Sequence, residues 1–187
     1  MIKRLYKKRR GEIATFMLVY LILFMLVIVA FVLQIRQYLA LKSDTEDALA
    51  ASNLATAVVD IREYGISHNL IIADTDHAYQ IYQNALQINM RLNDTWMDTT
   101  GRISGPVTVE QYVVYNVRGQ DVEVHSYGPG VTYASVVTGG KGNLTAPNGK
   151  TIEATSIYSR ISYRVAGYFG TDVPAVKDNL VDIVIQP

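Results

Sequence analysis

The sequence predicts an α+β fold: a long N-terminal helix, half of it membrane-spanning, then a second helix and a small antiparallel sheet. Three observations predict it. Residues 13–35 (IATFMLVYLILFMLVIVAFVLQI) run for 23 positions without Asp, Glu, Lys, Arg, His, Pro or Gly. Residues 36–63 also lack Gly and Pro and are rich in Ala and Leu, which favours helix. Composition then changes near Gly101: 11 of the 13 glycines and all five prolines lie from there onward, among β-branched and tyrosine residues.

The chain has 187 residues, 17 basic and 17 acidic, and no cysteine. At about 100–200 residues per domain, that length suits one compact domain with an extension, rather than a two-domain enzyme with an interdomain cleft. Without cysteine there is no disulfide, thiolate metal site, cysteine nucleophile or lipid-modified thiol. The zero net charge hides an asymmetry. Lys3, Arg4, Lys7, Lys8, Arg9 and Arg10 place six positive charges in the first ten residues, leaving −6 on the remainder. From Ser43 onward, 9 bases face 16 acids, which suits a soluble head and speaks against nucleic-acid binding.

At 1.5 Å per residue, the 13–35 helix is roughly 34 Å long, enough for a hydrocarbon core of about 30 Å. The basic flank predicts a cytoplasmic N-terminus, with the following residues outside the membrane. A cleaved secretory signal has an apolar core of about 7–15 residues ending at a small-x-small site. Here the nearest such site, Ala48-Leu49-Ala50, lies well beyond the run, which favours a retained anchor.

The helix is expected to continue outward to Tyr64, with Gly65 as its stop. Its total length from Glu12 would be on the order of 80 Å. Leu39, Leu41, Leu49, Leu54, Ala57, Val58 and Ile61 form its loose apolar stripe, and Ser43-Asp-Thr-Glu46 offers a capping box for a restart. A second helix follows, capped by Asp74 or Thr75, with Ala78, Ile81, Tyr82, Ala85, Ile88 and Leu92 on its apolar face. The expected divisions are a leader (1–11), the long helix (12–64), the second helix and its connections (65–100) and a β-rich head (101–187).

Within the head, residues 107–125 read as a hairpin turning at Arg118-Gly119-Gln120, its first strand half-buried with Val113 and Val117 inward. Residues 131–137 read as a third strand and 138–150 as turn-rich and mobile. Asn148-Gly149 signals a hairpin turn into a long strand at 151–165. In that strand Ile157, Ile161, Tyr163 and Val165 face one way and Tyr158, Arg160 and Arg164 the other. The terminal VDIVIQP reads as the last strand, completing about four to six antiparallel strands covered by helices.

Catalytic and metal motifs are scarce. His68, His77 and His125 have no ligand spacing, and Asp74-x-Asp76 lacks the Gly and Glu of a calcium loop. Gly139-Gly-Lys-Gly142 lacks the full phosphate-loop pattern, and there is no GxSxG or SxxK. No cofactor is implied. Asn93-Asp-Thr95 and Asn143-Leu-Thr145 match the glycosylation acceptor pattern. Tyr158, Arg160 and Arg164, sharing one strand face, are a candidate binding face, because tyrosine gives large contact area at small entropy cost.

The layout of basic leader (Lys7-Lys-Arg-Arg-Gly11-Glu12), uninterrupted span to Ile35, helix running outward and β-rich head resembles type IV pilin-like proteins. Within that group it is most similar to the TadE-like minor pilins (pseudopilins) of tight-adherence systems and their membrane-anchored Gram-positive relatives. The segment VTVEQYVVYNVRGQDVEVHSYG (107–128) adds to the likeness. The resemblance implies a prepilin peptidase cut between Gly11 and Glu12, and assembly with itself or other pilin-like subunits through the 13–64 helix. It also implies a surface filament or secretion or adhesion apparatus. The sequence departs from the family at Phe16, where pilins usually carry a glutamate that pairs with a neighbour's N-terminal amine. Glu12 is the nearby acid, so Glu12 and Phe16 are the candidate assembly contacts. Independently of the family, an acid bordering an apolar span belongs at the interface, where the helix dipole favours it.

The leading expectation is a non-enzymatic, single-pass structural or accessory subunit in contact with membrane lipid. The alternative is a permanently anchored extracellular module that binds a protein or a cell-wall glycan. A membrane-anchored enzyme, with a site assembled only by folding, is the third reading.

Overall fold

The computed structural model describes residues 2–167 and 170–184, with side chains from Ile13 onward. The chain is α+β. Among the described residues, three helices, α1 (Ile2–Ala55), α2 (Ile61–Ser67) and α3 (Thr75–Asn89), precede five strands. These are β1 (Thr108–Arg118), β2 (Asp121–Gly128), β3 (Val131–Val137), β4 (Ser156–Val165) and β5 (Val173–Asp182). Two compact units divide it at 1–40 and 41–187, so the boundary falls inside α1 and the last turns of that helix belong to the head.

In the first unit, α1 is long and apolar enough to cross a membrane, and none of its most apolar stretch is buried. Phe16, Tyr20, Phe24 and Phe31 are each more than half exposed. A helix apolar all round is the kind found buried in a core or spanning a membrane.

The head is built on one antiparallel sheet of order β3-β2-β1-β4-β5. Its first face is covered by the end of α1, by α3 and by Ile71 and Ile72. The buried seam of α1 is Leu41, Thr45, Ala48, Leu49, Ser52 and Asn53, with Thr56 buried just past its end. This differs from the apolar stripe expected from the sequence, since Leu39, Leu54, Val58 and Ile61 are exposed. Small polar residues can line the seam because their hydroxyls are satisfied within the helix. Thr45 and Ser52 donate to the carbonyls of Leu41 and Ala48 at 2.7 and 2.6 Å.

No restart occurs at Ser43–Glu46; α1 runs through it. It stops at Ala55 rather than Tyr64. There Thr56 turns its hydroxyl onto the Asn53 carbonyl at 2.7 Å and accepts the Tyr112 hydroxyl at 3.0 Å, fixing the chain where two β-branched valines follow. Asp60 then caps α2 by accepting from the Arg62 and Glu63 amides. Gly65 lies inside α2, and the left-handed stop is His68 at φ 58°. Asp74 caps α3 as expected, accepting from the His77 amide at 2.8 Å. The buried face of α3 is Thr75, Ala78, Tyr82 and Leu86, whereas Ile88 is exposed.

The second face of the sheet is also covered. Val113, Tyr115, Val117, Val122, Val124, Tyr158 and Leu180 form a second core with Ala146 and Ile152. That makes β1, expected to be half-buried, a central strand buried on both faces from Tyr112 to Val117. The cover comes from the 138–155 segment, whose ordered turns replace the expected mobile loop. The Ala146 amide donates to the Lys150 carbonyl at 2.8 Å, closing a three-residue loop with Gly149 at φ +83°. The Gly142 amide and Leu144 carbonyl then hold Ile152. Because 151–155 serve this cover, β4 begins at Ser156 rather than at 151. The last strand runs Val173–Asp182, so it shares only Val181 and Asp182 with the expected VDIVIQP strand; Ile183 and Val184 lie beyond it, and residues 185–187 are outside the described residues.

Candidate functional site

Gly11 and Glu12 lie within α1, and their side chains are outside the described residues. Phe16 is 74% exposed and shares an open apolar hollow with Met17, Tyr20, Leu21 and Phe24. Three aromatics at spacings of four make one raised row on the helix. Such a row suits lipid or a neighbouring helix and carries no chemistry.

The expected binding face on β4 divides. Arg160 and Arg164 are exposed, but Tyr158 is 1% exposed and packs in the second core, so it offers no free aromatic surface. Counting alternation placed Tyr158 beside the arginines correctly. It could not show that the 138–155 cover reaches over Tyr158 and stops short of Arg160. The Tyr158 hydroxyl is left against Arg160 and Asp178, its neighbours on β4 and β5.

The histidines stay apart: His68 ends α2, His77 opens α3 and His125 lies on β2. Asp74 is spent on capping, while Asp76 accepts from the Tyr127 hydroxyl at 2.9 Å. Among the described residues, no three His, Asp or Glu gather closely enough to hold a metal.

Two features have no counterpart in the sequence reading. The first is a buried tyrosine cluster under α3. Tyr82 and Tyr112 have ring centroids 4.7 Å apart, and Tyr79 stacks on Tyr127 at 4.9 Å. Burial pushes Tyr79, Tyr82, Tyr112 and Tyr127 above the ordinary tyrosine value, and in the second core it pushes Tyr115 up to about 12. A phenol whose folded pKa is raised contributes stability that is complete below its unfolded value, about 10, and is lost as pH rises through the folded one. The head should therefore hold to about pH 10 and then unfold cooperatively, with tyrosinate absorbance and loss of near-ultraviolet circular dichroism rising together. Ionisation of every tyrosine near the ordinary value with the fold intact would contradict this packing.

The second is a cleft of about 300 Å³ between the 93–107 loop and the β2–β3 turn, lined by Tyr79, Gln83, Thr95, Trp96, Val107 and Pro129. Trp96, the only tryptophan, stands at φ 62°, unusual for a bulky residue. Two acceptor side chains impose this turn. Asn93 takes the Thr95 and Met97 amides, and Asp98 takes those of Thr100, Arg102 and Ile103. Partial burial works to raise the Asp98 pKa, but the hydrogen bonds outweigh it and hold the carboxyl below its usual value. Among the described residues, none that lines the cleft is charged. The only sequence signals were one Trp between an Asn and an Asp, each followed two residues later by Thr.

No protein-family description, curated protein or solved structure matches this chain.

Proposed function

We propose that the chain is a pilin-like, membrane-anchored structural or accessory subunit of a surface pilus, secretion or adhesion apparatus, with its N-terminus cytoplasmic and its head outside. The observation that carries this reading is the division of labour along α1. Residues 13–35 are apolar with none buried, while the same helix from Leu41 supplies the head's core seam. The uncovered stretch needs lipid or other helices, and six bases before it bias the leader toward the cytoplasm. The Phe16, Tyr20 and Phe24 row provides a ridge for a neighbouring helix. The Gly11-Glu12 junction ahead of the apolar run is where the peptidase reading puts the cut.

Extraction of native complexes in mild detergent, followed by sizing and N-terminal mass spectrometry, tests this. The expected result is an assembly holding several copies or related subunits, with Glu12 as the first residue. Monomeric protein beginning at Met1 would sink both assembly and processing.

The Trp96 cleft favours a second reading: a permanently anchored module whose head binds a neutral ligand such as a cell-wall glycan. An uncharged cleft offering Trp96 and Tyr79 suits apolar sugar faces, with Gln83 and Thr95 for hydroxyl groups. Retention of the monomeric full chain on purified cell-wall glycan, lost in Trp96→Ala, is the result that would favour it.

A further inference from the structure

The two edges of the sheet are built differently. Strand β5 is protected. It carries Pro174, which cannot donate to a further strand, and Lys177, which is paired with Glu46 of α1. Strand β3 has no such device. Its sequence, Val-Thr-Tyr-Ala-Ser-Val-Val, contains no charge, proline or glycine, and its pairing with β2 is regular from Gly128↔Val131 to Val122↔Val137. Six of its seven residues are exposed, among them Val131 at 60%, Tyr133 at 48% and Val136 at 63%. A regular, uncharged edge of this kind is normally blunted unless something pairs with it.

We infer that β3 is a pairing edge and that its occupant is β3 of a second copy, the two joining antiparallel about Ala134 into one continuous sheet. This concerns the heads alone and requires neither leader cleavage nor a filament.

Three observations select that occupant. The two-residue Pro129-Gly130 turn, with Gly130 at φ +74°, makes Gly128 and Val131 the first hydrogen-bonded pair. Alternation then turns the N–H and C=O groups of Thr132, Ala134 and Val136 toward the open edge. In an antiparallel pair centred on Ala134, these three residues meet the same three of the other copy. Ala134 faces Ala134, Thr132 faces Val136, and every outward group is satisfied.

Side chains agree with this register. Val131 comes opposite Val137 and Tyr133 opposite Ser135, with no charge on either strand. The acidic head, at −7 from Ser43 onward, repels its own copies elsewhere, so this neutral strip is a favourable place for contact. Finally, β5 is closed to addition. A head-to-tail β3–β5 contact, which would propagate, is therefore blocked, and the closed two-fold contact remains.

The absence of cysteine makes the test clean. In a hydrogen-bonded antiparallel pair the two Ala134 Cα atoms would lie about 5.5 Å apart. That is inside the disulfide range of about 4.4–6.8 Å. The full chain in detergent micelles, carrying Ala134→Cys, should convert mainly to a disulfide-linked dimer under mild oxidation. Val176→Cys, exposed on β5, should remain monomeric. Ala134→Arg, which sets two like charges face to face at an exposed position, should halve the protein mass measured by sedimentation and leave the circular dichroism spectrum unchanged. Failure of Ala134→Cys to cross-link, equal cross-linking at both positions, or a dimer that survives Ala134→Arg would each overturn the proposal. The last outcome would place self-association in the apolar helix, where the reading above puts it.

Discussion

Tyr112→Ala is expected to destabilise the head by about 3–5 kcal/mol, the usual cost of deleting a large buried aromatic side chain. Tyr112 has no exposed surface, and its ring centroid lies 4.7 Å from that of Tyr82 and 5.4 Å from that of Tyr79. Its hydroxyl donates to Thr56 at the end of α1. One side chain thus joins the central strand to two helices. Small domains are stable by about 5–15 kcal/mol, so the variant would keep little reserve. Tyr112→Phe keeps the ring and leaves the Thr56 hydroxyl bonded to the Asn53 carbonyl, so it should lose only about 1 kcal/mol. Urea unfolding of the full chain in detergent, followed by near-ultraviolet circular dichroism, measures both. Equal losses from the two variants would mean that the hydroxyl, rather than the packing, carries the contact.

Asn116→Ala should be the most costly change at a polar position, about 2–4 kcal/mol, because it leaves two backbone groups buried without partners. Asn116 is 2% exposed on β1, and its amide accepts from the Ile72 N–H and donates to the Ile72 carbonyl, both at 2.9 Å. It imitates one rung of a sheet, fixing the segment between α2 and α3 onto a strand with no further strand to offer. Ile71 and Ile72, 3% and 2% exposed, follow that rung into the core. Hydrogen exchange at the Ile72 amide reads the effect directly. Protection lost there first, ahead of the β1 amides, is the expected pattern, and unchanged protection would show that the rung is dispensable.

Much of this architecture was legible in the sequence, where a simple pattern has a single physical cause. The 23-residue run without a charged residue, and the alternation that puts Val122 and Val124 of β2 on one face, each report one solvent boundary. Errors arose where a second layer intervened. Counting apolar residues gave α1 a stripe through Leu39, Leu54 and Ile61, but the sheet selected Thr45, Ser52 and Asn53, whose small size permits close approach. Alternation alone puts Tyr158 on the surface, because it cannot reveal that a distant loop covers part of a face. Asn148-Gly149 was a correct turn signal, yet the chain after it folds over the second core before joining the sheet at Ser156. The Trp96 cleft left almost no trace, since it depends on Asn93 and Asp98 drawing amides from either side of an unusual backbone position. The unguarded β3 edge became meaningful only once the strand order placed β3 outermost.

The central claim is that residues 13–35 anchor the chain in a membrane with the head outside. A membrane-impermeant maleimide applied to intact cells, with Lys150→Cys in the exposed 147–150 turn, tests it most directly. The protein should be labelled without lysis and should stay with the membrane through an alkaline carbonate wash. Labelling only after lysis, or release by carbonate, would contradict the account.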